Sequence, residues 1–447
     1  MNKKKYVYFF NSLKNTDGKS SMSKILGGKG ANLAEMANLN IPVPPGFTIS
    51  TDVCIYYMKK GKYPPGCKTE IKSNLKKIES CMKQNFGSNQ NPLLVSVRSG
   101  ARKSMPGMME TVLNVGLTNK TIKGLIRETN NPRFSYDSYR RLMMMYADVV
   151  MDKSNNVNCN IRHILEQHLK DYKIKNKIKS DTSLSDVDLS ILCKKFEKII
   201  FKNMGSYFPN DPMVQLESSI EAVFKSWNGK RAKEYRKIEK IPDTWGTAVN
   251  VQAMVFGNMG NDSGTGVAFT RNPSNGENYF FGEWLPNAQG EDVVSGIRTP
   301  YPINNHDKKS NLTLEKKFPS VYKQLFVIQK QLETHYKDMQ DIEFTIQNNH
   351  LWLLQTRTGK RNGGAAIKIA LDLLKNKIIN AKEALNRITS NHVNELLLPS
   401  IDYMQEAKSS PIAIGLPAGP GAAIGQITFS ADKAEKLFKK GKKVILV

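Results

Sequence analysis

The hydrophobic period changes more than once along the chain, and this limits the folds open to it. Alternating or continuous apolar runs, which suit strands, occupy both flanks of a block whose period is 3.6 residues, which suits helices. Tyr6 to Phe10 predicts a strand, and Leu93-Leu94-Val95-Ser96-Val97 a short buried one. Leu33, Met36, Ala37 and Asn40 keep helical spacing after a glycine-rich turn, until Pro42-Val43-Pro44-Pro45-Gly46 breaks the chain. From about residue 117 to 204 the pattern is helical, with Tyr139, Leu142, Met143, Tyr146 and Val150 on one face. Within that block the lysine-rich Lys170 to Ser185 reads as a surface loop or a connection between helices. The β pattern returns near residue 245. Ala248 to Val255 and Gly266 to Thr270 alternate, and Ile342–Ile346 and Leu351–Gln355 read as a hairpin joined by Gln347-Asn348-Asn349-His350. Residues 362 to 397 return to helix, and Ala423 to Phe429 and Lys443 to Val447 read as strands. No internal repeat accompanies these changes, so a mixed fold, α+β or α/β, is expected.

With 447 residues and 40% hydrophobic content, the chain can bury a substantial core, and its length predicts about three domains. No run approaches the roughly 18 apolar residues of a membrane span. The apolar stretch behind Met1-Asn2-Lys3-Lys4-Lys5 is too short for a signal peptide. The expectation is a cytoplasmic protein with no membrane partner. The five cysteines (Cys54, Cys67, Cys81, Cys159, Cys193) are scattered without a Cys-x-x-Cys pair, which predicts free thiols rather than a zinc clip or disulfide framework. A formal net charge of +26 would suit nucleic acid, yet the lysines are dispersed and no aromatic-basic platform recurs. The charge therefore reads as a solvated, lysine-rich surface with no nucleic-acid partner, whose positive field would still draw in ATP and phosphate. The six histidines (His163, His168, His306, His335, His350, His392) are each isolated among helix or loop residues. None has the small, hydroxyl-rich surroundings of a phosphorylated histidine.

Four stretches have the residue types that phosphate chemistry needs. Leu26-Gly27-Gly28-Lys29-Gly30-Ala31-Asn32-Leu33 sets three glycines around a lysine just ahead of a helix. Backbone N–H groups could crowd an anion there and Lys29 could add a mobile cation, although the same residues also make a plain turn with a surface lysine. Arg98 is expected at the C-terminal end of the buried strand, where α/β folds place ligands. The loop after it, Gly100-Ala101-Arg102-Lys103-Ser104-Met105-Pro106-Gly107-Met108-Met109, mixes glycine, hydroxyls and cations. A lid over phosphates needs that mixture, and a mobile surface loop can share it. Asp341 and Glu343 share one face of a strand, with Ile342 and Phe344 on the other. Two carboxylates so placed suit a divalent ion bridging phosphate oxygens, or an ordinary solvated face. Across the hairpin, Gln355 could complete the metal contacts and Arg357 could neutralise phosphoryl charge. Asp262 to Pro273 forms a glycine-rich turn into a strand, and Glu283 reads either as a strand-end residue near adenosine or as a structural one.

Together these stretches resemble the pyruvate, phosphate dikinase family. The matching residues are Leu26 to Met36, Pro42 to Phe47, Val97 to Leu117, Arg133 to Leu142, Asp262 to Pro273, Asp341 to Phe344, Gln355 to Arg357 and Gly415 to Gly425, in family order over essentially the whole chain. Water dikinases and phosphoenolpyruvate synthase share the Arg-Ser and Gln-x-Arg elements, while Ser104-Met105-Pro106-Gly107-Met108-Met109 looks specific to the pyruvate, phosphate enzymes. The resemblance implies an ATP-grasp nucleotide-binding domain with a helical insert subdomain, then a helical linker and the beginning of a swivelling phosphohistidine domain. Its implied boundaries are 1–115 (completed by about 205–245), 116–204, 246–358, 359–407 and 408–447.

By position, the resemblance assigns Lys29 and Arg98 to the ATP phosphates, Asp341, Glu343 and Gln355 to Mg2+ and nucleotide, and Arg357 to the transferring phosphates. The loop holding Gly100, Ala101, Ser104, Met105 and Gly107 would close over the nucleotide, with Glu283 beside it and Arg140 or Arg141 a further candidate. In the family a histidine attacks the β-phosphoryl group of ATP and AMP leaves. Phosphate then takes the terminal phosphoryl group as pyrophosphate, and the phosphohistidine phosphorylates pyruvate to phosphoenolpyruvate. The Thr-Ser-His stretch bearing that histidine and the pyruvate barrel are not among these residues. The expectation is therefore a truncated chain that binds Mg-ATP without turnover and comes from a homodimer when full length. A C-terminal organelle address would lie beyond it. The alternatives are a phosphoenolpyruvate synthase-like or other ATP-grasp dikinase, a degenerate module serving as a scaffold, and a basic nucleic-acid-binding protein.

Overall fold

In the computed structural model the described residues are 4–12, 16–155, 157, 159–294, 298–306, 310–397 and 423–447. They fall into two compact units. The first comprises Met1–Ala268, Gly282–Leu325 and Ile342–Arg357; the second comprises Phe269–Phe281, Phe326–Asp341 and Thr358–Val447.

The first unit opens with β1 (Val7–Phe10), α1 (Ser23–Asn38), β2 (Gly46–Ile49), α2 (Thr51–Lys60), α3 (Cys67–Met82), the short β3 (Asn85–Phe86) and β4 (Pro92–Leu93), β5 (Val95–Gly100) and β6 (Thr111–Val115). A helical block follows: α4 (Thr121–Thr129), α5 (Pro132–Tyr146), a wider π-type turn at Ala147–Lys153, α6 (Ile161–Lys175), α7 (Asp186–Met204), α8 (Pro212–Ser226) and α9 (Lys230–Ile238). β7 (Ala248–Ala253) then returns to the first sheet, whose order is β1-β2-β7-β5-β6 with antiparallel neighbours throughout.

The two faces of this sheet differ in chemistry. Val97 pairs with Val251, which also pairs with Phe47, and this face enters one large core shared with the helical block. On the other face Arg98 lies opposite Asn250, Asn250 opposite Thr48, and Ser96 opposite Gln252. All five of these polar residues are buried. α1 presses on this second face, and glycine permits the approach. A methyl group at Gly30 would stand 2.7 Å from the Thr48 side chain and 2.8 Å from Asn250 Oδ1.

α6 runs six residues into the stretch expected to be a loop, because Ile161, Leu165 and Leu169 bury a continuous stripe and Tyr172 reaches Asp188 at 2.8 Å. The true connection ends at Ser185, which forms a reciprocal capping box with Asp188 at the start of α7.

A second sheet has the order β10-β9-β8-β11-β12. Its strands are β8 (Gly264–Phe269), β9 (Phe281–Pro286), β10 (Tyr301–Pro302), β11 (Gln340–Gln347) and β12 (His350–Thr358). The β11–β12 hairpin is longer and tighter than the spacing predicted. Asn348 and Asn349 alone turn it, with φ of 49° and 64°, the left-handed pair that a two-residue type I′ turn demands. Helices α10 (Gly290–Val294), α11 (Leu314–Lys317) and α12 (Pro319–Tyr336) lie between β9 and β11 in the chain.

In the second unit α13 (Gly363–Lys375), α14 (Ala381–Arg387) and α15 (Ser390–Leu396) follow the predicted helical pattern, and α13 buries Ile369 and Leu373 around Met339. Arg271 is buried against Glu333 at 2.9 Å and Asp372 at 3.3 Å, with Thr270 donating to the same Glu333 at 2.6 Å. β13 (Gln426–Thr428), α16 (Ala431–Lys439) and β14 (Val444–Leu446) form a parallel β-α-β piece, so both expected strands are present but shorter. Most of the Gly415–Gly425 stretch lies outside the described residues. The fold is thus mixed α/β with an antiparallel main sheet. Among the described residues no helix is long and apolar enough to cross a membrane.

Gly27 tests the seating of α1 on the sheet. Its φ is 66°, and an added methyl would stand 1.7 Å from the Gly100 carbonyl oxygen. Gly27→Ala is expected to lower stability by about 2–4 kcal/mol, read from the urea midpoint, since left-handed strain and overpacking add. An unchanged midpoint would contradict this packing.

Candidate functional site

Arg98 sits in the middle of β5, not at its end as the sequence predicted. β5 stays paired to β7 as far as Gly100–Ala248 and to β6 at Arg98–Thr111, so the strand cannot stop at residue 98. The Arg98 side chain is only 9% exposed. Its Nη2 donates to Gln252 Oε1 and to the Leu354 carbonyl at 3.2 Å, and its Nε has no acceptor among the described residues. Gln252 in turn donates its Nε2 to the Pro44 carbonyl at 3.0 Å. Burial pushes the Arg98 pKa down, against the pull of Glu343.

The glycines around Lys29 lie inside a helical run, not ahead of one, because α1 already starts at Ser23. Gly27 breaks the run with φ 66° and ψ 171°, so a fresh helix start follows at Gly28-Lys29-Gly30. The Gly28 N–H is occupied by the Ala101 carbonyl at 2.9 Å, which removes one amide from the anion cradle that the glycine pattern implied. Lys29 is half-buried. Its pKa falls to about 7, first through burial, then through the positive charge of Arg98 and, more weakly, Arg357, with Glu343 opposing. Four predicted residues, Lys29, Arg98, Glu343 and Arg357, are therefore close enough for their charges to act on one ammonium group. All four belong to the first unit.

The hairpin is tied to this place by backbone bonds. Leu353 N–H donates to the Pro42 carbonyl at 2.7 Å, and Asn32 Nδ2 donates to the Thr356 carbonyl at 2.9 Å. β12 thus runs beside the middle of α1 and the turn after it, with Gln355 buried and Arg357 half-buried. Asp341 opens the hairpin two residues before Glu343, is buried, and is counted in the second unit. Among the described residues no three His, Cys, Asp or Glu side chains cluster as a metal site.

The remaining predicted residues are placed elsewhere. Gly100 and Ala101 lie against the Gly27–Gly28 break. Beyond them the loop is docked on α9 and its flanks. Met105 is buried with Trp227, Ala232 and Ile241, the Arg102 guanidinium lies 5.2 Å from the centre of the Trp245 ring, and Lys103 pairs with Glu239 at 2.7 Å. Ser104 and Gly107 are exposed. Glu283 lies within β9 opposite Pro302, so it is not at a strand end as predicted. Arg140 and Arg141 are engaged with a carboxylate. Asp137 accepts from Arg140 at 2.7 Å and from Arg141 at 2.9 Å, and Arg141 also reaches Asp292 at 3.3 Å. Burial works to raise the Asp137 pKa, but the two guanidiniums outweigh it and hold it at about 2.

Sequence reasoning missed Gln252 and Asn250. The only available signal was the alternation Val249-Asn250-Val251-Gln252, which looks the same whether the polar face meets water or is covered.

The mixed α/β fold thus brings a broken helix start, a central-strand arginine and a hairpin arginine within electrostatic reach of one lysine, in a cation-rich polar site. The chain belongs to the family described as pyruvate phosphate dikinase, AMP/ATP-binding domain, whose model matches residues 23–78, 65–320 and 305–377. It is 47% identical over 446 residues to the chloroplastic pyruvate, phosphate dikinase of Flaveria pringlei, covering 99% of this chain and 45% of that protein. It is 48% identical over 451 residues to the pyruvate, phosphate dikinase of Rhizobium meliloti (strain 1021), covering 99% of this chain and 49% of the relative. To pyruvate, phosphate dikinase 2 of Zea mays it is 47% identical over 434 residues, 97% of this chain and 47% of that one. The chain spans about half the length of these relatives.

The lowered Lys29 pKa predicts a signed pH effect. An unfolded lysine keeps its proton to about pH 10.4, whereas folded Lys29 releases it near 7. Between those values the unfolded chain binds the extra proton, so this residue's destabilising contribution is full below about pH 7 and fades as pH rises. Without nucleotide, Lys29→Met is expected to melt higher than the native chain at pH 6, with the gap closing toward pH 10. Melting curves across that range check it, and a gap that widens with pH would refute it.

Proposed function

We propose that the first unit binds the triphosphate of ATP and that the chain supplies the nucleotide-binding part of a pyruvate, phosphate dikinase. The gathering of Arg98, Arg357 and Glu343 around Lys29 carries this reading. Two guanidiniums and an amine that titrates near 7, against one carboxylate, leave an excess positive charge held partly out of water, where an anion interacts far more strongly than at the surface. The family match and the relatives' names supply the class of reaction.

In this reading Arg98, fixed by protein acceptors, offers an oriented guanidinium to the phosphate chain. Lys29 takes up a proton as the anion arrives and adds a mobile charge. Arg357, at the end of β12, meets the phosphoryl group in transfer. Gly100 and Ala101 line the start of the phosphate path, and the loop through Ser104, Met105 and Gly107 leaves its seat on α9 to cover the nucleotide. Phosphoryl transfer needs alignment and charge neutralisation more than covalent help, and these side chains supply both.

Asp341, Glu343 and Gln355 offer oxygen donors only, the hard ligand type that suits magnesium, and Glu343 already faces the cations that would meet phosphate. The donor set therefore fits the ion. These three residues would hold the ion, and its positive charge would offset that of the phosphates when bound.

The ATP-grasp description of the nucleotide-binding part, the swivelling character of the piece around β13–β14 and a homodimeric whole enzyme belong to the same proposal. So does the full reaction, in which ATP, phosphate and pyruvate give AMP, pyrophosphate and phosphoenolpyruvate through a phosphohistidine that is none of the chain's six histidines. The cytoplasmic setting also stays a proposal, since the Flaveria pringlei relative is named chloroplastic.

Millimolar Mg-ATP is expected to raise the melting temperature by roughly 2–4 °C through mass action. Arg98→Met and Arg357→Met are each expected to weaken Mg-ATP binding by roughly 10- to 100-fold in calorimetric titration, as loss of a charged hydrogen bond implies. No thermal shift for the native chain would sink the proposal.

A further inference from the structure

The acceptor that holds Arg98 bears no charge. Gln252 is 1% exposed on β7, two residues along the same face from Asn250, which lies opposite Arg98. The orientation of its amide is dictated by a neighbour: the Pro44 carbonyl can only accept, so Nε2 must face it at 3.0 Å. That leaves Oε1 for Arg98 Nη2, whose second partner is the Leu354 carbonyl at 3.2 Å. With Nη2 on two fixed acceptors the plane of the guanidinium is set, and Nε has no acceptor among the described residues. A carboxylate at position 252 would grip the cation more strongly but would cancel the charge that phosphate is to meet.

We infer that Gln252 is a positioning residue for nucleotide binding, orienting the Arg98 guanidinium through a neutral acceptor so that its full charge stays available to a phosphate. This rests on the reading of Arg98 as a phosphate ligand. Residues that act as one hydrogen-bonded unit show non-additive losses, so the two roles separate in a double-mutant cycle.

The test is calorimetric titration of the 447-residue chain with Mg-ATP, using the native chain, Gln252→Met, Arg98→Met and the double variant. Nucleotide-free melting curves confirm cooperative folding. Gln252→Met is expected to weaken binding roughly 5- to 20-fold in the native background and less than about 2-fold beside Arg98→Met. Equal losses in both backgrounds, or no loss in the native one, overturn the inference while leaving Arg98's role standing. An unchanged affinity for Arg98→Met alone overturns the phosphate reading of Arg98 and this inference with it. Where Gln252→Met melts without a cooperative transition, Gln252→Asn replaces it, keeping a neutral amide that is one methylene too short to serve both Pro44 and Arg98. The same contrast between backgrounds then decides.

Discussion

A guanidinium buried on the second face of a sheet sets the terms for the rest of the first unit. Removing Arg98 from water is unfavourable unless its hydrogens meet acceptors, and a sheet with one apolar face has none to spare there. Its two acceptors come from separate places in the chain, Gln252 on β7 and the Leu354 carbonyl on β12, and a third place, Pro44, holds Gln252. Each lies far from residue 98 in sequence, so the strand order β1-β2-β7-β5-β6 and the seating of β12 are both conditions for burying this cation. The apolar face faces no such requirement. Val97, Val251 and Phe47 need only a core, and the helical block supplies it.

The approach of α1 is the second condition. A helix with ordinary side chains at residues 27 and 30 would stand off from the sheet, because the Gly100 backbone and the Thr48 and Asn250 side chains already fill that space. With glycine at both places the helix comes down, breaks at Gly27 and restarts with Lys29 near Arg98, Glu343 and Arg357. The close approach also explains why Lys29 gives up its proton so readily: burial and two neighbouring cations act together, with Glu343 alone opposing. The same glycine pattern that implied an anion cradle thus acts here largely through packing. The Gly28 amide is occupied by Ala101, so in the proposed reading the cationic side chains would carry most of the attraction for an anion.

What the sequence disclosed follows from which interactions are local. The Asn348-Asn349 turn was legible because asparagine tolerates left-handed backbone, and the alternation on either side fixed the hairpin. The helical block was legible from its period. Lys29, Arg98, Glu343 and Arg357 stood out as cations and carboxylates in unusual settings, helped by the resemblance of the whole pattern to one family. The start of α1 was hidden because glycines lower helical propensity, and here packing against the sheet overrides them. Asn250 and Gln252 were hidden for a sharper reason: alternation reports which residues share a face, not whether that face meets water. Arg140 and Arg141 were over-read because their partner Asp137 sits three and four residues earlier on the same helix, a spacing that turns free-looking cations into a closed ion-pair cluster.

The net charge of +26 shows how little total charge says about a site. Most of the lysines stand on exposed surface, where salt screens them within about 10 Å. The charges that matter are few and are brought together by geometry. Two guanidiniums, one amine and one carboxylate meet in a half-dry place, and the amine bears the strain: Lys29 holds its proton less tightly through burial and the two neighbouring cations. Arg98 is disfavoured there by burial, with Glu343 opposing. A polyphosphate would relieve that strain, restoring a proton to Lys29 and neutralising its neighbours. In the proposed reading, attraction for nucleotide would come from concentrating a small part of the charge where water cannot dilute it, and a neutral acceptor on Arg98 would matter more than another lysine on the surface.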